Sequence, residues 1–150
     1  MSRLRRRISL ATVRRVLLDV AAEYPDRVDP RVERGLPPRY CEHGRPACLV
    51  AEVLTRLGWT IVQLRELDRE GQMPAKASVG GTPLAHSRNR RLRRIELTAR
   101  RMLDELQRQQ DRGWSWSRAV AWVLQEDSHG RYWRASGHVK PWNEPLQPPA

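Results

Sequence analysis

RNRRLRRIELTARRMLDELQRQQDRG, residues 88–113, is the longest run of helical periodicity in the chain. Leu92, Ile95, Ala99, Met102, Leu103 and Leu106 recur at three- and four-residue spacing, which draws one apolar face of an α-helix, and Gly113 stops it. Asn89 is the expected cap. The same stretch carries Arg88, Arg90, Arg91, Arg93 and Arg94 ahead of Arg100 and Arg101. At about 100° per residue, Arg90, Arg93, Arg94 and Arg101 fall opposite the apolar stripe and face outward together. Arg100 and Arg101 find Asp104 and Glu105 four residues on, whereas the first two turns hold only Glu96. Cations at a helix N-terminus also oppose the macrodipole, by about 0.3–1 kcal/mol each at low salt. The block therefore predicts contact with a polyanion, against the alternative of a solvated arginine face.

Outward from this helix the pattern predicts four more. Ser9 caps a first one, with Leu10, Val13, Val16, Leu17, Val20, Ala21 and Tyr24 on its stripe and Pro25 as its stop. Prolines at 25, 30, 37, 38 and 46 exclude a helix between Pro25 and Pro46 and leave an irregular connection, with a short extended piece near Arg39 to Cys41 and a turn at Gly44. Pro46 suits the first position of a second helix that buries Cys48, Leu49, Val53, Leu54 and Leu57 and ends at Gly58. Thr60 and Gln63 form a capping box for a third, through about Arg69 and closed by Gly71. Gln72 to Ser87 reads as a loop. Ser115 opens the last helix, which buries Ala119, Val120, Val123 and Leu124, with Trp114 stapled onto Ala119. The expected organisation is an all-α domain of five helices over residues 9–126. A flexible basic arm at 1–8 holds Arg5, Arg6 and Arg7, and a Pro-rich tail at 127–150 holds Trp133 and Trp142.

Composition fits one core with a polyanionic partner. The 150 residues carry 28 basic against 17 acidic side chains, a formal charge of +11, at a mean hydropathy of −0.71. Only Lys76 and Lys140 are lysine. A GC-rich genome exchanges Lys for Arg, but that exchange conserves charge and leaves the excess unexplained. Such a surface favours nucleic acid or an acidic protein. No apolar run approaches the roughly 20 residues that span a bilayer, and the start lacks a secretory pattern, so a cytoplasmic protein without a membrane partner is expected. Cys41 and Cys48 are then expected as reduced thiols.

Two resemblances attach to particular residues. Ala51 to Gly58 followed by Leu64 to Ala75, with Gly58 in the turn, resembles the winged helix-turn-helix of excisionases and MerR-type regulators. That resemblance implies a recognition helix with Gln63, Arg65, Glu66 and Arg69 as base or phosphate contacts, and a wing around Gly81. An ordinary helical hairpin is the preferred reading, because Trp59, Ile61 and Val62 put apolar bulk where such a helix meets DNA. The second resemblance covers more of the chain. Cys41 to Val50 running into Val53 to Gly58, with Gln107 to Gly113 and Trp116 to Val120, is similar to a set of small uncharacterised helical proteins of actinobacteria and their phages. It implies an actinobacterial or phage source and a helical core, and no function.

Chemistry beyond charge is sparse. Cys41, His43 and Cys48 are ligand types that suit zinc, but their spacing matches no standard finger, and a fourth ligand would have to be His86, His129 or His138. Cys48 stands near a helix N-terminus, where a thiolate is favoured, but the apolar Leu49 and Val50 beside it make a buried small hydrophobe the expectation rather than a nucleophile. No Gly-rich phosphate loop or Ser/His/Asp grouping stands in the chain, so neither an enzyme nor a cofactor is expected. The expected function is non-catalytic nucleic-acid binding by an accessory or regulatory protein, through phosphate contacts from Arg88, Arg90, Arg91, Arg93, Arg94, Arg101 and the arm. The alternative is a module docking an acidic protein, with the tail tryptophans as anchors.

Overall fold

The computed structural model describes residues 6–71 and 84–128, the last three by backbone alone. Helices dominate it. The elements are α1 (Leu10–Glu23), α2 (Pro30–Glu33), β1 (Cys41–Glu42), β2 (Arg45–Pro46), α3 (Leu49–Arg56), α4 (Ile61–Gly71), 3-10 turns at Leu84–His86 and Leu92–Arg94, α5 (Leu97–Asp111) and α6 (Trp116–Ser128). α5 lies against α6, α3 and α1, and α1 also packs on α3 and α6. Their facing stripes, including Leu17, Val53, Leu54, Met102, Leu103, Leu106 and Val123, form one buried core. Among the described residues no helix is long and apolar enough to cross a membrane.

Local signals account for most boundaries. Ser9 caps α1, its side chain accepting from Thr12 N–H at 3.2 Å. The capping box of α4 closes in both directions, Thr60 N–H to Gln63 Oε1 at 3.0 Å and Gln63 N–H to Thr60 Oγ1 at 3.3 Å. Gly58 sits at φ +99°, where a side chain would be strained, and so turns the chain out of α3. Ser115 caps α6 through Arg118 N–H at 3.3 Å.

Four expectations are corrected. The helix expected from Asn89 starts only at Leu97: Asn89 does accept from Arg91 and Leu92 N–H, but the turn that it opens is 3-10, and Ile95 then leaves it in an extended conformation. Pro46 lies in β2, and α3 begins at Leu49 with Cys48 as its cap, Sγ accepting from Ala51 N–H at 3.4 Å. A helical turn does form between Pro25 and Pro46, because Pro30 stands at its first position, where no N–H is needed, and Asp29 caps it. The fourth concerns Arg100 and Asp104, which hold one turn of backbone instead of facing each other as a surface pair. Arg100 is buried and donates to the carbonyls of Ile95, Leu84 and Ala85, and Asp104 accepts from Leu84 and Ala85 N–H at 2.6 and 3.0 Å.

A buried polar network joins α2, α3 and α5. Gln110 accepts from Leu49 N–H at 2.6 Å and donates to Asp29 at 3.2 Å and to Asp111 at 3.3 Å, and Gln107 donates to Asp111 at 2.9 Å. Burial raises the carboxyls of both Asp29 and Asp111, Asp111 to about 6. The folded state therefore holds a proton on Asp111 that the unfolded chain, near pKa 3.9, releases between about pH 4 and 6, so this group makes the protein more stable as pH falls through that window. Asp111→Asn should stabilise at pH 7 by on the order of 1 kcal/mol and remove the gain on acidification, read as the difference in urea unfolding between variant and parent at pH 7 and pH 5. Equal pH dependence in both proteins would refute this.

Cys48 lies fully buried beside the same network, its thiol 3.8 Å from Gln107 Oε1 and pushed far up by burial. It should resist alkylation in the folded protein at neutral pH, and Cys48→Ala should lower stability by about 1 kcal/mol. Labelling as fast in the native as in the urea-unfolded protein would contradict that.

Candidate functional site

The arginine block and the N-terminal arm meet through backbone. Ile8 N–H donates to Arg94 C=O at 2.8 Å and Glu96 N–H to Ile8 C=O at 3.0 Å, a parallel bridge between Ile8 and Ile95. Ile95 is buried and Ile8 packs on the core, while Arg7, before Ile8, and Arg94, the last residue of the 3-10 turn, are exposed on the two paired segments. Glu96 adds a third tie, its carboxylate accepting from Leu10 N–H at 3.0 Å at the start of α1. The last residues of the expected arm, Arg6 to Ile8, are thus fastened beside Arg93 and Arg94, while Arg5 lies outside the described residues.

The charges in this region reinforce one another. Arg6, Arg7, Arg88, Arg90, Arg93 and Arg94 are exposed, and none forms an ion pair with a described carboxylate. Arg101 is half-buried. Arg91 differs, being bound to Glu66 of α4 at 3.3 Å. Below the face, burial first and then the cations Arg7, Arg93 and Arg101 press the Arg100 guanidinium below its ordinary value. The Ile8–Arg94 hydrogen bond sets Arg7 and Arg93 in one neighbourhood, far apart as they are in the sequence. The nearby acids point elsewhere: Asp104 to the Leu84–Ala85 turn and Glu96 to α1.

The four residues of the recognition-helix resemblance divide. Gln63 is committed to the capping box and Glu66 to Arg91, whereas Arg65 and Arg69 are exposed. α4 rests on the β-hairpin, while α3 rests on α1 and α5. The wing expected near Gly81 and the tail with Trp133 and Trp142 lie outside the described residues. Trp59 is buried and Ile61 packs on the core, leaving Val62 as the exposed apolar side chain at that end of α4, at 58% exposure.

The three zinc-type residues are spread over different settings. Cys41 is buried in β1, His43 stands at the hairpin tip with its side chain 88% exposed, and Cys48 is sealed at the N-terminus of α3. Among the described residues no group of three His, Cys, Asp or Glu is placed to hold a metal ion. No family model matches the chain, and no curated protein or solved structure matches it either.

Sequence reasoning found the arginines but not the bridge that aligns them, since one isolated β contact leaves no periodic trace. Ile8→Pro removes the donor to Arg94 and should cost about 1 kcal/mol. It should also raise the amide exchange rate of Glu96. Protection of Glu96 unchanged in the variant would show that the bridge does not hold the arm.

Proposed function

We propose that this chain is a non-catalytic accessory or regulatory protein that binds nucleic acid mainly through phosphate. The observation that carries the reading is the Ile8–Ile95 bridge, which sets Arg6 and Arg7 beside Arg93 and Arg94 as one exposed basic face without described counterions. Guanidiniums held at fixed backbone positions lose little freedom on meeting a row of phosphates and release counterions as they do so. Arg88 and Arg90 extend the face, and Arg91 joins it on exchanging Glu66 for phosphate. An acidic protein partner is less well served. The exposed large apolar side chains among the described residues are Leu18 of α1, Leu36 of the connection after α2, Val62 of α4 and Leu97 of α5, none of them an aromatic anchor.

Salt dependence tests the proposal. Contacts with four to six phosphates should give a slope of log affinity against log salt of about −4 to −5 on duplex DNA, with little preference between sequences. Arg93→Gln and Arg94→Gln should each flatten the slope by about one, and Arg65→Ala should change affinity by no more than one phosphate contact. Failure to retain a labelled duplex at low salt, with capture of an acidic protein instead, would favour the docking module. A defined motif from random duplexes, lost on Arg65→Ala, would make α4 a base-reading helix.

A further inference from the structure

α4 carries two like-charged rows, Arg65 with Arg69 and Glu66 with Glu70, each at the i, i+4 spacing where like charges repel. The acidic row is relieved within the chain: Arg91 binds Glu66 at 3.3 Å, and the Asn89 amide donates to both oxygens of Glu70 at 3.2 Å. The basic row finds no described carboxylate within ion-pair distance.

Arg65 and Arg69 line an open groove of about 810 Å³ whose far wall is the β-hairpin, and Arg39 enters it from the approach to β1. Two carboxylates reach the groove, and both are already engaged. Asp68 accepts from Tyr40 and Cys41 N–H at 2.7 and 2.9 Å, and Glu42 holds Arg31 at 2.7 Å and Arg34 at 3.5 Å. Three exposed guanidiniums thus border one concave space without a carboxylate committed to any of them. The hairpin walls one flank of α4, a shape that obstructs insertion of this helix into a duplex groove.

We propose that this groove is a phosphate site, with Arg39, Arg65 and Arg69 as the groups that hold it. Guanidinium forks match the oxygens of a phosphate dianion, and three of them exceed what one carboxylate can accept. The site stands apart from the Arg7 and Arg93 face and does not depend on duplex binding there. Such a dianion comes either from the phosphorylated end of a nucleic-acid strand or from a small phosphorylated molecule, whereas an internal phosphodiester carries one charge.

The test is a titration of the full chain with inorganic pyrophosphate, followed by the arginine Nε–H resonances. Arg39, Arg65 and Arg69 should shift together and saturate. Arg39→Gln, away from any helix, and the pair Arg65→Gln with Arg69→Gln should each weaken binding at least fivefold, while Arg93→Gln with Arg94→Gln should leave it unchanged. A tetranucleotide with a 5′-phosphate binding more tightly than its 5′-hydroxyl form assigns the strand end. Equal binding of the two, with pyrophosphate still saturating, assigns a small molecule. Shifts that do not saturate, or that move Arg93 and Arg94 as much as the groove arginines, would overturn the proposal. Loss of duplex binding in the Arg93 and Arg94 variant bears only on the other face.

Discussion

One side-chain carboxylate accepting two consecutive backbone N–H groups is the contact on which this structure depends. Asp68 of α4 holds Tyr40 and Cys41 in that way, and Asp104 of α5 holds Leu84 and Ala85. Glu96 does the same with a single donor at Leu10, and Asp29 with Arg31 N–H and the Gln110 amide. Asp68 and Asp104 seat the approach to β1 and the Leu84–Ala85 turn, while Glu96 and Asp29 meet first-turn N–H groups of α1 and α2 that have no partner inside their own helices. A buried donor without a partner costs about 1–3 kcal/mol, so these acids, on helices or at their caps, are what let such segments lie against the core. Desolvation is the counterweight, and it shows as raised carboxyls at Asp29, Asp68 and Asp104.

The surface charge follows from that use of acids. Carboxylates turned inward to backbone are withdrawn from the surface, where arginines then stand with fewer counterions than composition suggests. Arg100 belongs to the inward set, since it grips three carbonyls. The arginines on either side of it do not. Glu66, Glu42 and Glu23 do form ion pairs outward, with Arg91, with Arg31 and Arg34, and with Arg56. Among the arginines left without a described carboxylate, those of the basic face and of the groove are the ones the fold groups together.

Sequence periodicity resolved the helices well where the apolar stripe coincided with a capping signal, as at Ser9, Thr60 with Gln63, and Ser115. It failed at Leu92 and Ile95 for a definite reason. Residues three apart share one face in a 3-10 turn as they nearly do in an α-helix, so both structures bury the same pair. The macrodipole conflict read from the arginines was sound as physics. The chain avoids it by opening α5 after them, with Glu96 at the cap. The arginines of the candidate face were visible as residues, but their alignment with the arm rests on two backbone hydrogen bonds that no side-chain pattern encodes. The groove left a fainter sign, the like-charged spacing of Arg65 and Arg69, and Arg39 gave none.

The two basic surfaces differ in how they are held, and this bears on what each can bind. The Arg7 and Arg94 face is built on paired backbone, open to solvent, and spread along two segments, an arrangement that would suit charge distributed over a length of polymer. The groove is bounded by a helix on one side and a hairpin on the other, with the left-handed His43 and Gly44 at its rim, at φ 52° and 69°. With Arg65 and Arg69 on the helix and Arg39 on the approach to the hairpin, guanidiniums converge from two sides, which suits a compact anion. Between them lies the Arg91–Glu66 contact, which fastens the segment before α5 to α4 and leaves both arginine rows facing outward. Replacing Glu66 by a neutral residue would free Arg91, while the Asn89 amide on Glu70 would still tie α4 to that segment, so the spacing between the two surfaces rests on both acids of the α4 acidic row.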